Sequence, residues 1–141
     1  LPHLVNHGVE WYRSMGTEKS TGTKIFSVSG HVKKPGNYEI VMGTPMEELI
    51  YDIAGGITGD RDLKSVIPGG SSMPMLPKDI CLKTNMDFES LQAAGSAVGS
   101  GGFIVFDETT DIVQVCEVIA RFYKNESCGK CVPCRIGTDW I

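Results

Sequence analysis

The run Lys24-Ile25-Phe26-Ser27-Val28-Ser29-Gly30-His31-Val32-Lys33-Lys34-Pro35-Gly36-Asn37-Tyr38-Glu39-Ile40-Val41-Met42 decides the fold. Phe26, Val28, Gly30 and Val32 alternate with Ile25, Ser27, Ser29 and His31, and Tyr38, Ile40 and Met42 alternate with Glu39 and Val41. A period of two sets each group on one face of a strand. Between them, Lys34-Pro35-Gly36-Asn37 has Pro second and Gly third, the order of a type II turn. The stretch therefore predicts a β-hairpin.

Immediately downstream, Thr44-Pro45-Met46-Glu47 predicts a helix start, with Thr44 as N-cap, Pro45 in the first turn and Glu47 closing a capping box. Met46, Leu49, Ile50 and Ile53 form its apolar stripe, and Gly55-Gly56 ends it. Ser65 to Ile67 reads as a further strand, stopped by Pro68-Gly69-Gly70. Hairpin, packed helix and returning strand is the order of an α+β fold of the β-grasp (ubiquitin-like) type. Lys24 to about Ile67 is expected to form an autonomous core. The Gly69-Gly70-Ser71-Ser72 loop could cradle a phosphate, but Pro74 and Pro77 follow where a cradle needs a helix N-terminus, which favours a plain loop.

Met73 to Thr84 reads as irregular, and Cys81, between Ile80 and Leu82, as a packed thiol. A short helix is expected from about Met86 to Gly95, then a buried strand over Gly101-Gly102-Phe103-Ile104-Val105-Phe106. Asp111 and Gln114 open a long amphipathic helix to about Asn125, with Ile112, Val115, Cys116, Ile119 and Phe122 or Tyr123 facing a core. Upstream, Leu4, Val5, Val9 and Tyr12 mark the tail of a helix, and Thr17 to Thr23 a polar linker. His3 and His7, four residues apart, could share a helix face as metal ligands; without a third ligand nearby they read more readily as surface residues.

The chemistry is concentrated at Glu126-Ser127-Cys128-Gly129-Lys130-Cys131-Val132-Pro133-Cys134-Arg135-Ile136-Gly137. Cys128, Cys131 and Cys134 lie at C-x₂-C-x₂-C, three soft ligands on one short loop. That spacing serves [4Fe–4S] clusters, whereas zinc usually takes two separated pairs; a cluster, half a zinc site and inert thiols are the three readings. Gly129 and Gly137 are expected to adopt the left-handed turns that bring amides near sulfide, and Lys130 and Arg135 add positive charge beside negative ligands. Gly129, Lys130 and Arg135 are thus candidate cofactor-binding residues.

The totals bound the rest. With 141 residues, 41% hydrophobic and 21% charged, the chain has ordinary globular composition. A net charge of −4 argues against nucleic acid, and no apolar run reaches the ~20 residues of a membrane span. Five cysteines, three of them clustered, fit a reducing compartment.

The cysteine run, with Phe26-Ser27-Val28-Ser29-Gly30-His31-Val32, Ala54-Gly55-Gly56 and Ile67-Pro68-Gly69-Gly70-Ser71-Ser72, resembles the NADH-binding flavoprotein subunit of respiratory complex I. Flavoprotein subunits of NAD-linked hydrogenases and formate dehydrogenases share these motifs. The resemblance implies three regions: 1–23, helix and linker from a preceding flavin domain; 24–109, an SLBB β-grasp domain; and 110–141, the start of a helical iron–sulfur region. It further implies that Cys128, Cys131 and Cys134 hold a [4Fe–4S] cluster that takes single electrons from FMN reduced by NADH. Implied partners are the other subunits of the complex, including an iron–sulfur electron acceptor, with a peripheral location on the inner face of the cell membrane or the matrix side of a mitochondrion. In that family the glycine-rich flavin and NAD loop lies upstream and a fourth cysteine lies tens of residues downstream. This stretch alone is thus expected to bind neither FMN nor NADH, and to keep no stable cluster. A β-grasp module that only docks a partner subunit is the reading from another class.

Overall fold

The computed structural model describes residues 1–140. Its contacts separate into two compact units, Leu1–Glu108 and Thr109–Ile141. In the first, β1 (Thr23–Gly30) and β2 (Gly36–Val41) are antiparallel, with Phe26 opposite Tyr38. The helix that follows begins as α2 (Met46–Glu48) and continues as a π-helical stretch, Leu49–Ile53. Met46, Leu49 and Ile50 of its predicted stripe are fully buried. After β3 (Leu63–Ile67), β4 (Leu76–Pro77), α3 (Lys78–Cys81) and α4 (Phe88–Ala93), β5 (Gly102–Asp107) completes a five-stranded sheet in the order β2-β1-β5-β3-β4. The mixed sheet and its helices form the expected α+β, β-grasp-like fold.

One face of the sheet contributes Phe26, Val28, Ile40, Val66, Phe103 and Val105 to a core shared with Met46, Leu49, Ile50 and Leu91. Alternation made this legible: in β1 Phe26 and Val28 are buried while Ile25 and Ser27 are not. Each large apolar side chain so placed contributes about 1.5–3 kcal/mol over leaving it in water.

Four local expectations are corrected. The hairpin does not close through a type II turn, because Gly36 is not in the left-handed region and already belongs to β2. The chain bends instead at Gly30 (φ +86), where a Cβ would lie 2.2 Å from Val105 O. From there His31 N–H donates to Val105 O, and Val32 pairs with Ile57 and enters the core, drawing residues 31–35 away from a tight turn. The capping box is also absent: Pro45 is the N-cap, and the Thr44 hydroxyl donates back to Val41 O. Residues 24–67 cannot form the sheet alone, since β1 and β3 are joined only by β5 between them. Finally, part of the segment read as irregular is ordered, β4 and α3 placing Cys81 in a helical turn.

Charged and hydroxyl side chains fix the edges of this unit. The buried Asp107 carboxylate accepts from Arg61 Nη1 at 3.0 Å, and the Asp107 backbone N–H donates to His31 Nδ1 at 3.2 Å. Within the linker after α1 (Pro2–Arg13), Thr17 Oγ1 donates to Glu89 Oε1 at 2.6 Å and Ser20 Oγ donates to Glu89 Oε2. The polar linker is therefore stitched to α4.

In the second unit, α5 (Ile112–Glu126) starts where the Asp111 carboxylate accepts from the amides of Val113 and Gln114. Ile112, Val115, Ile119 and Tyr123 line its less exposed face, but no residue of α5 is buried. Cys116, expected to face a core, is exposed. A short loop then leads to α6 (Val132–Gly137).

Candidate metal centre

The loop between α5 and α6 and the first turn of α6 carry the three motif cysteines, with Cys128 on the loop, Cys131 as the N-cap of α6 and Cys134 in its first turn. Glu126 ends α5 and Ser127, in extended conformation, turns the chain out of the helix. Gly129 follows at φ +71, a conformation L side chains adopt at a cost, and reverses the backbone within the short span from Cys128 to Cys134 that carries all three thiols. Gly137, expected to make a second such turn, instead ends α6 without a positive φ.

The loop is held by its own polar groups. Gly129 N–H donates to Ser127 Oγ at 3.3 Å, and Ser127 Oγ lies 3.4 Å from Cys134 Sγ. Arg135 Nη1 donates to Gly129 O at 2.9 Å, so its guanidinium closes the loop from the other side. Lys124 and Asp139 form an ion pair at 2.7 Å between the end of α5 and the residues after α6. Lys130 is exposed. Ser127 stood in the motif without an assigned role; its signal was a hydroxyl directly before the first cysteine.

All three cysteines are free and exposed. Among the described residues no three His, Cys, Asp or Glu side chains converge on one metal ion. Three thiols at C-x₂-C-x₂-C on one short stretch are soft donors of the kind that iron–sulfur clusters take. Cys81 is fully buried, its thiol donates to Leu76 O at 3.2 Å, and burial pushes its pKa up to about 12, so it stays protonated. Cys116 lies about 15 Å up α5 from the loop, at 1.5 Å per residue.

The other sequence candidates stay outside the centre. His3 and His7 stack on α1, ring centroids 6.2 Å apart, with Trp11 4.9 Å beyond His7. In the Gly69–Ser72 loop the Gly70 amide already donates to Gly102 O, which removes it as a phosphate donor. Among the described residues no helix is long and apolar enough to cross a membrane.

Comparison with known proteins bears on both units. Residues 24–115 match the SLBB domain, and residues 114–141 match the NADH-ubiquinone oxidoreductase-F iron-sulfur binding region. The F subunit of NADH-quinone oxidoreductase from Rickettsia bellii (strain OSU 85-389) is 51% identical over the whole chain, which covers 34% of that protein. Its counterpart in Rickettsia felis is likewise 51% identical, with 33% covered. The chain thus spans about a third of the length of these curated relatives. An NAD+-reducing [NiFe]-hydrogenase in its air-oxidised crystal structure is similar at a TM-score of 0.81 and 35% identity, over 96% of this chain and 22% of that one.

Proposed function

Since the chain belongs to the SLBB domain family, we propose that it is the SLBB domain and the opening of the iron–sulfur region of an NADH-oxidising flavoprotein subunit. In this reading residues 24–109 are the SLBB domain, 1–23 come from the flavin domain before it, and 110–141 begin the cluster-binding region. The carrying observation is the loop with three free, exposed cysteines at C-x₂-C-x₂-C. Cys128, Cys131 and Cys134 hold three corners of a [4Fe–4S] cluster, and a fourth ligand comes from elsewhere in the full-length protein. When bound, such a cluster supplies one-electron transfer, since four protein ligands leave it no open site for substrate. Arg135 and Ser127 keep the loop in shape, while Lys130 adds positive charge that favours the reduced state.

The whole protein would oxidise NADH on FMN and relay single electrons through this cluster to an iron–sulfur acceptor subunit, at the inner face of the membrane or on the matrix side. The 51% identity to the quinone-reducing relative, against 35% to the hydrogenase, favours quinone over a hydrogenase centre as the final destination. Anaerobic purification of the full-length protein tests the centre. Four irons per chain at this site, with a reduced paramagnetic signal that Cys131→Ser abolishes or alters, is the expected result. A signal indifferent to Cys131→Ser would refute the assignment.

A further inference from the structure

We infer that Ser127 is a positioning residue whose hydroxyl donates a hydrogen bond to the Cys134 thiolate and thereby raises the reduction potential of the cluster. Ser127 Oγ lies 3.4 Å from Cys134 Sγ. Either atom could donate while Cys134 is a thiol, but a thiolate on iron has no proton, so the serine must then be the donor. The same oxygen accepts the Gly129 N–H at 3.3 Å, which occupies a lone pair and leaves its single hydrogen to point towards sulfur. Gly129 is fixed in turn by its left-handed φ of +71 and by Arg135 on its carbonyl. The hydroxyl is thus oriented by groups that do not depend on iron.

Reduction of an iron–sulfur cluster puts part of the added charge on its sulfur ligands. A donor aimed at one of them stabilises the reduced form more than the oxidised form, and hydrogen bonds to sulfur are among the groups that set the potential. The inference rests on the proposed cluster, and the experiment separates the two. Ser127 is also the C-cap of α5; a purely capping role would change stability and leave the potential where it was.

The test is a redox titration, followed by electron paramagnetic resonance, of the full-length protein and its Ser127→Ala and Ser127→Thr variants. Ser127→Ala should make one-electron reduction of this cluster about tenfold less favourable, a fall of about 59 mV, while Ser127→Thr keeps the original potential. A loaded Ser127→Ala cluster at the original potential would overturn the inference and leave the cluster assignment standing. No iron at the site in the unaltered protein would overturn both. If Ser127→Ala does not load, the isosteric pair Ser127→Thr and Ser127→Val decides. The original potential with Thr and a lower one with Val supports the hydroxyl bond; the same potential in both, or failure of both to load, overturns it.

Discussion

Glu89 shows what a single side chain can hold. Hydroxyls of Ser20 and Thr17 donate to its two carboxylate oxygens and, with Ser20 the larger cause, hold its pKa below the usual 4.5. A depressed carboxyl contributes stability that is fully present above its unfolded pKa and is lost as pH falls through the folded value. Glu89→Gln should therefore lower the urea midpoint at pH 7, and the gap to the unaltered protein should narrow below about pH 4.5. An equal gap at pH 7 and pH 3 would show that the charge is not involved. None of this was legible in the sequence, because Ser20 and Glu89 are 69 residues apart and nothing local marks a carboxylate as an anchor. The same holds for Asp107 with Arg61 and His31. The three motif cysteines were legible because their relation is short-range, each thiol following the last after two intervening residues.

At the level of elements, periodicity served well and end-chemistry unevenly, with Asp111 capping α5 as expected while the Pro35-Gly36 turn and the Thr44 cap did not form. Alternation located β1 and β2, and the Met46-Leu49-Ile50 stripe located the helix, because burial against the sheet outweighs every local preference. The turn and the cap failed because tertiary partners outcompeted them: Val32 is taken by Ile57, and Met46 N–H donates to Thr84 O. The α5 stripe holds only in part: Ile112, Val115, Ile119 and Tyr123 are its less exposed residues, but Cys116 is exposed and no residue of α5 is buried. Two glycines offer a contrast within these elements. A Cβ on Gly69 would lie 2.2 Å from Ala97 O, whereas one on Gly137 meets nothing within 4 Å. Gly69→Ala should destabilise by about 1–3 kcal/mol or more, as overpacking against backbone does. Gly137→Ala, at the end of α6, should be neutral or stabilise by up to about 1 kcal/mol. Chemical denaturation of both variants checks this, and a tolerated Gly69→Ala would mean that the 69–73 and 97–102 loops are not packed as described.

For the molecule as a whole, β5 is the strand that makes the sheet one object. It is parallel to β1 through Val28 and Phe103 and antiparallel to β3 through Val66 and Val105. Both of its edges are thus paired, while β2 and β4 lie at the margins. In native-state hydrogen exchange the amides of residues 103–106 should be among the slowest of the first unit, near the global limit. Exchange there as fast as in β2 would contradict the central placement. The pairing also has a consequence for synthesis. Ser27 finds its partner Gly102 only 75 residues later in the chain. A ribosome adding about 5–20 residues per second takes roughly 4–15 seconds to cover that distance. For that interval Phe26 and Val28 lack the strand that pairs beside them, and their apolar side chains stay open to water and to other chains until β5 emerges.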